Sequence, residues 1–253
     1  MKTFDGKVTV VTGSSRGIGA GIARAFAEHG ARVVLNGRDA TALASVRESI
    51  VRAGGQAISV VADVTRAADI ERIREETERA LGPIDILILN AGGNPTMPGP
   101  LEETSEEGWR ASIDLNLTAP FLLLKSVLPG MKARRTGNII TISTAAARRA
   151  HPRSPIPYAA AKAGLQMLTQ HLATQVGPFG IRVNCIAPET IITERTGALI
   201  PEDLKQSLIE SHPIRRLGTP DDVARVALFL ASDDAAWITG QIIDVAGGAV
   251  MAA

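Results

Sequence analysis

This sequence predicts an α/β fold, a doubly wound, seven-stranded parallel sheet with helices on both faces, and three observations predict it. Seven short β-branched runs recur along the 253 residues. Each run is nearly continuous in apolar residues instead of alternating, as burial on both faces of a parallel sheet requires. Longer amphipathic stretches separate the runs, and strand followed by helix throughout is the pattern of a doubly wound sheet.

In order, the strands read "KVTVV", "ARVVL", "QAISVV", "IDILIL", "NIITIS", "IRVNCI" and "QIIDV". Helical periodicity spans Ile18 to His29, Ala40 to Ala53, Ala68 to Leu81, Tyr158 to Val176 and Asp221 to Ala231. The last of these opens on "TPDD": Thr219 is placed to cap it, Pro220 fits the first turn, and two carboxylates face the positive end of the helix dipole. Residues 188 to 216 are long, charged and punctuated by proline. They read either as a mobile lid over a pocket or as a surface excursion with short helices. There is no repeat, low-complexity tract or linker, so residues 1–253 are expected to form a single domain.

Composition narrows the function. With 45% apolar and 21% charged residues, the chain supports a sizeable core. Its 27 basic and 26 acidic side chains leave no general attraction for nucleic acid. Cys185 is the single cysteine, which suits a reducing compartment and a small buried thiol. The opening "MKTFDGKVTVVTG" has no export pattern, and apolar stretches such as "ILIL" fall far short of the roughly 18 residues of a membrane span. A soluble, cytoplasmic protein is expected. The histidines at 29, 151, 171 and 212 have no metal-ligand spacing, so no metal is expected.

The first strand runs into "TGSSRGIGAGIARAF", which places Gly13, Gly17 and Gly19, with Ser15, Arg16 and Ile18, at a turn into a helix. Glycine lets backbone approach a pyrophosphate, whose charge then rests on the free N–H groups of the helix start. The spacing differs from Gly-x-Gly-x-x-Gly, but its place after the first strand makes this a Rossmann-type dinucleotide site. At the end of the second strand an acid would bind the free ribose hydroxyl of NAD, and an arginine the extra phosphate of NADP. "VVLNGRD" puts Gly37 where that acid would stand, with Arg38 beside it and Arg16 as a second candidate. NADP(H) is therefore expected over NAD, and Asp39 reads as the cap of the next helix.

These motifs, followed by Asp63-Val64, "NAG" at 90 to 92, Asn116, Tyr158 with Lys162, and Pro188 with Thr193, resemble the short-chain dehydrogenase/reductase family from about Lys7 to Met251. The resemblance implies that Asp63 and Val64 border the adenine, Asn90, Ala91 and Gly92 the adenosine side, and Pro188, Ile191 and Thr193 the nicotinamide end. It makes Tyr158 the acid–base of carbonyl and alcohol interconversion. Lys162, four residues on and so on the same helix face, also holds the nicotinamide ribose. A cation there is expected to lower the phenol's pKa from its usual value near 10. Asn116 would hold a water linking Lys162 to solvent, or kink or cap its helix.

Two departures from the family pattern bear on the site. The catalytic serine falls on Thr144, with Ser143 as the alternative, and Thr144 precedes Tyr158 by 14 residues, one more than in many members. Glu189 replaces the usual glycine after Pro188, facing either the substrate or solvent. Arg148, Arg149 and Arg153 could attract an anionic substrate or form a solvated basic loop. Arg135 matches half of a basic footprint seen in reductases of 3-oxoacyl groups on acyl carrier protein, but Phe179 occupies the other half. The expected function is NADP(H)-dependent transfer of hydride to or from a small-molecule carbonyl or secondary alcohol. Alternatives are a 3-oxoacyl-acyl-carrier-protein reductase, an NAD-linked alcohol dehydrogenase and a non-catalytic dinucleotide sensor. A homotetramer or dimer is expected from the resemblance, by pairing of helices near 105 to 133 and 157 to 177.

Overall fold

The computed structural model describes residues 3–151 and 153–251. Pro152, in the basic loop, lies outside them. One parallel sheet is ordered β3-β2-β1-β4-β5-β6-β7. Its strands are β1 (Val8–Val11), β2 (Arg32–Gly37), β3 (Gln56–Val61), β4 (Ile86–Leu89), β5 (Gly137–Ile142), β6 (Ile181–Pro188) and β7 (Ile242–Val245). The helices are α1 (Gly17–Glu28), α2 (Ala40–Arg52), α3 (Ala67–Leu81), α4 (Glu106–Ile113), α5 (Ala119–Arg134), α6 (Ile156–Val176), α7 (Glu194–Leu199), α8 (Glu202–Ser211) and α9 (Pro220–Ala231).

The expected seven strands are present, and their packing explains their composition. Successive residues point to opposite faces: Ile86 and Ile88 enter a core with α1, α2 and α9, whereas Leu87 and Leu89 enter one with α3, α5 and α6. Both faces are dry, so most positions are apolar, with Thr9, Asn36, Asn138, Thr141 and Asn184 as buried polar exceptions. Several boundaries shift from the sequence reading; β2, for instance, runs on to Gly37 instead of ending at Leu35. β4 starts at Ile86 instead of Ile84, because Asp85 turns its carboxylate to accept the Val8 amide at 2.9 Å. β6 continues to Pro188, since its pairing with β7 extends there.

Helix α4 joins α5 through a π turn, Asp114–Thr118, which interrupts the regular hydrogen-bond ladder and carries the buried Asn116. The unbroken run Glu106–Arg134 is long and apolar enough, by length and composition, to cross a membrane, a property the shorter apolar runs did not signal. Its Leu123, Leu124, Val127 and Met131 are buried in the core on the α3, α5 and α6 face. The segment 188 to 216 contains the short helices α7 and α8. Its neck is closed by Ile192, whose amide donates to Gly218 at 2.8 Å, and by Gly218, whose amide donates to Thr190 at 3.1 Å. Cys185 is free and buried.

The start of α9 takes the expected form. Thr219 Oγ1 accepts from the Asp222 amide at 3.4 Å, and Asp222 Oδ2 accepts from the Thr219 amide at 2.8 Å, a reciprocal cap. Arg216 adds a two-pronged pair to Asp222, with both N···O distances 2.7 Å. Thr219→Ala is expected to lower stability by about 1 kcal/mol, read as a shift of the urea midpoint.

Candidate active site

The strand order reverses between β1 and β4, which are paired in space although two strands intervene in sequence. At such a switch point the strand ends leave a crevice for a ligand. A cleft of about 810 Å³ opens there, and every residue expected to bind the cofactor lines it.

The glycine loop is pressed against the end of β4. Gly13 has φ +63°, and a Cβ on it would lie 2.8 Å from Ala91 Cα. A Cβ on Gly19 would lie 2.4 Å from the Gly13 carbonyl oxygen. No side chain but hydrogen fits either position. Thr12 Oγ1 accepts from the amides of Asn90 (3.1 Å) and Ala91 (3.0 Å), while Asn90 Nδ2 donates to the carbonyls of Thr12 (2.9 Å) and Gly13 (3.0 Å). Asn90 thus ties the strand ends together as well as lining the cleft. Helix α1 begins without a side-chain cap and without an acid in its first turn. Its amides therefore suit a diphosphate, and the residues fit a dinucleotide.

At the end of β2, Ser15 faces Gly37, and a Cβ on Gly37 would be 3.4 Å from Ser15. Arg16 pairs with Asp39 at 2.9 Å, and Asp39 also caps α2 through the Ala42 amide at 3.0 Å. Arg38 is 80% exposed, with Asp63 at 3.7 Å. Partial burial works against the charge of Asp63, but hydrogen bonds from Thr65 and the Arg38 guanidinium together hold its carboxyl below the ordinary range. Val64, Pro188 and Ile191 are buried along the cleft. Thr193 caps α7 and lies over the glycine loop, its Cγ2 3.2 Å from where a Cβ on Gly17 would be.

Tyr158 and Lys162 share one face of α6, and both line the cleft with Thr144 and Ser143. Lys162 is buried, and its Nζ donates to the Ile142 carbonyl at 2.7 Å and stands 5.9 Å from the centre of the Tyr158 ring. Ser143 Oγ donates to the Lys162 carbonyl at 3.0 Å and accepts from Gln166 Nε2 at 3.0 Å. Thr144 is half-buried and lines the cleft with the phenol, its hydroxyl oxygen accepting from the Ala146 amide at 3.3 Å. Asn116 stands behind the cleft wall: its side chain donates to the Gly93 carbonyl at 2.9 Å and accepts from the Gly93 amide at 3.1 Å. A Cβ on Gly92 would meet Asn116 Oδ1 at 2.8 Å and Lys162 Nζ at 3.1 Å, so the two side chains close on the same point.

One expectation is corrected. Lys162 was expected to make the phenol more acidic, but burial pushes Tyr158 up to about 12, with only the Thr144 hydroxyl pulling the other way. Burial also brings Lys162 down to about 8. The ammonium is directed at a carbonyl, and desolvation penalises both charged forms. In the basic loop, Arg148 lies 3.5 Å from Asp244 and is paired with it. Arg135 donates to the Pro178 carbonyl at 2.8 Å just before β5 begins, at the opposite end of the sheet from the cleft.

The cleft also takes in Asn36, Gly93, Leu115 and Thr196, which the sequence reading did not single out. Asn36 had a signal, a polar residue at the end of an apolar strand. It donates to the carbonyls of Val60 and Ala62 at 3.3 and 3.1 Å. Gln166 gave none, since it follows Lys162 by one helical turn like any interior helix residue. Among the described residues, no group of three or more His, Cys, Asp or Glu is placed to hold a metal ion.

A doubly wound sheet with a glycine-lined, uncapped helix start at its switch point defines a dinucleotide-binding α/β protein. Comparison with known proteins narrows the class. Residues 13–250 match the family described as enoyl-(acyl carrier protein) reductase. The 7alpha-hydroxysteroid dehydrogenase of Escherichia coli K12 is 37% identical over 247 residues, covering 98% of this chain and 95% of that protein. A structure of 7alpha-hydroxysteroid dehydrogenase complexed with NADH and 7-oxo glycochenodeoxycholic acid matches with a TM-score of 0.93 and 37% identity, covering 98% of this chain and 96% of the other. A 3-oxoacyl-[acyl-carrier protein] reductase with bound NAD from Brucella melitensis matches with a TM-score of 0.92 and 33% identity, covering 99% and 94%. The chain belongs to the short-chain dehydrogenase/reductase family, a family of oxidoreductases that use nicotinamide cofactors.

The buried lysine has a consequence for stability. The ordinary lysine pKa is near 10.4, so between about pH 8 and that value the unfolded chain binds the extra proton at Lys162 and stability rises with pH. Cys185, raised to about 11 by burial, acts in the opposite sense over part of the same window. The stability difference between wild type and Lys162→Met is therefore expected to grow in favour of wild type from pH 8 to 9.5, measured by urea unfolding.

Proposed function

We propose that this protein is an NADP(H)-dependent oxidoreductase that interconverts a small carbonyl compound and its secondary alcohol, with Tyr158 as general acid and base. One observation carries this reading: Tyr158, Thr144 and Lys162 meet on the wall of the same cleft whose far end is the glycine loop. Residues 13–19, Asp63, Val64, Asn90, Ala91 and Gly92 would hold the dinucleotide, and Pro188, Ile191 and Thr193 its nicotinamide end. Bound there, the nicotinamide supplies or accepts a hydride.

The side chains handle the proton. With its pKa near 12, Tyr158 is a neutral phenol at physiological pH and holds the proton that a carbonyl oxygen needs during reduction. The Thr144 hydroxyl, beside the phenol, gives that oxygen a second hydrogen bond and orients it. Lys162 lines the cleft beside the phenol, its Nζ 5.9 Å from the ring centre, and would hold the nicotinamide ribose. Asn116 and Gly93 hold each other behind it, at the position from which a water would reach Lys162. Ser143 is occupied by Lys162 and Gln166, so Thr144 is the hydroxyl offered to substrate.

The cofactor preference follows from the end of β2. Arg38 is exposed beside a glycine, with one weak partner, and is free to meet a phosphate, whereas Arg16 is shared with Asp39. The second reading, NAD, is favoured by that Arg16–Asp39 pair and by the NADH- and NAD-bound neighbours. We further infer action in a reducing cytoplasm, in keeping with lone Cys185, as an assembly of copies, in keeping with the exposed Phe121 and Met167 on α5 and α6.

Oxidation of NADPH with a panel of ketones, aldehydes and 3-oxoacyl thioesters tests the activity. Tyr158→Phe is expected to lower kcat/KM by about a hundredfold or more. Thr144→Ala is expected to cost at least about tenfold and Ser143→Ala less, and the reverse order would reassign the hydroxyl. In fluorescence titrations NADPH is expected to bind more tightly than NADH, and Arg38→Ala to shift the ratio of the two dissociation constants toward NADH by about tenfold or more. Tighter NADH binding by the wild type would establish NAD as the cofactor.

A further inference from the structure

A second cavity, of about 420 Å³, adjoins the catalytic cleft, and Glu189 lines both. Glu189 follows the end of β6, and its amide donates to the Val245 carbonyl at 3.1 Å, which fixes it against the end of β7. In that register Ala187 is level with Asp244 and Pro188 with Val245. Alternation along the strands therefore sets Glu189 and Asp244 on the same face of the sheet.

The charges around this junction do not cancel. Arg216, on the cavity wall, is taken by Asp222 through both nitrogens at 2.7 Å. Arg148 is matched by Asp244 at 3.5 Å, and Asp244 Oδ1 is buried without a hydrogen-bond partner among the described residues. Glu189 accepts only from its neighbour Thr190 Oγ1, at 3.3 Å, among the described residues. A carboxylate with acceptor capacity to spare, between two cavities and with no ion pair of its own among the described residues, repels an anion and attracts a donor. Ile214, Val226 and Ile243 give the second cavity an apolar side suited to a hydrocarbon frame.

We propose that Glu189 determines substrate specificity: it accepts a hydrogen bond from a hydroxyl or ammonium group on a carbonyl substrate whose hydrocarbon arm reaches from the cleft into the second cavity. The proposal rests on the carbonyl-reductase reading above and names its substrate class, a carbonyl compound bearing a donor instead of a carboxylate or phosphate. The isosteric change Glu189→Gln removes the charge and keeps the shape.

Three ketones of similar size serve as probes: 4-aminocyclohexanone, protonated at pH 7, 4-methylcyclohexanone and 4-oxocyclohexanecarboxylate. Dissociation constants are measured by calorimetry on the NADP⁺-loaded protein, and kcat/KM with NADPH. Wild type is expected to favour the ammonium ketone over the carboxylate ketone tenfold or more in both measurements, and Glu189→Gln to reduce that ratio to within threefold. Equal or undetectable affinities in wild type, or a ratio unmoved by Glu189→Gln, overturn the proposal. A charge ranking seen in binding with no turnover of any carbonyl would overturn the carbonyl-reductase reading and leave Glu189's selectivity standing.

Discussion

The hydrogen bond from Lys162 Nζ to the Ile142 carbonyl, 2.7 Å long and buried, is the contact on which the site's geometry depends. An ammonium in such a place costs free energy unless its donors are satisfied, and the same burial lowers its pKa to about 8. The bond fastens the middle of α6 to the end of β5. Ser143, bonded back to the Lys162 carbonyl, and Gln166, bonded to Ser143, extend the seam by one turn. Thr144 is the next residue after Ser143, its carbonyl accepting from Gln166 Nε2 at 3.5 Å, and Tyr158 lies one turn before Lys162, so the seam sets the spacing of the two hydroxyls.

A second seam holds the cofactor end. Thr12 and Asn90 exchange hydrogen bonds across β1 and β4, where the sheet reverses order, and Gly13 and Gly19 leave no room for a side chain between them. The two seams join through Gly92, which is pressed between Asn116 and Lys162 just after Asn90. The glycine loop and the Tyr158–Lys162 pair are thereby joined along one edge of the sheet.

What was legible in the sequence, and what was not, follows from the range of the interactions. The strands could be read because a sheet covered on both faces is apolar at most positions, and the glycine loop because only glycine fits against Ala91. The Tyr158–Lys162 pair could be read because helix geometry places residues four apart on one face. The π turn at Asp114–Thr118 could not, since its altered ladder has no residue signature. Nor could the partners of the arginines: Asp39 and Asp244 meet Arg16 and Arg148 only through the fold. The direction of the Tyr158 shift was missed for the same reason, because proximity of a cation is visible in a helical repeat and desolvation is not.

The segment over the cleft is anchored at both ends of its base. Thr193 stands above Gly17, and the neck at Thr190–Ile192 is clasped to Gly218 by two backbone hydrogen bonds. A Cβ on Gly218 would lie 2.4 Å from Ile191 Cδ1, so the clasp is tight as well as bonded. At the other end, Ile214 donates its amide to the Gly247 carbonyl at 3.0 Å and Arg216 is held by Asp222. Any displacement of α7 and α8 must therefore leave residues 190 to 192 and 214 to 218 in place and be absorbed between them. Glu189, on the fixed side of that division, keeps its position relative to Tyr158 however the helices beyond it move.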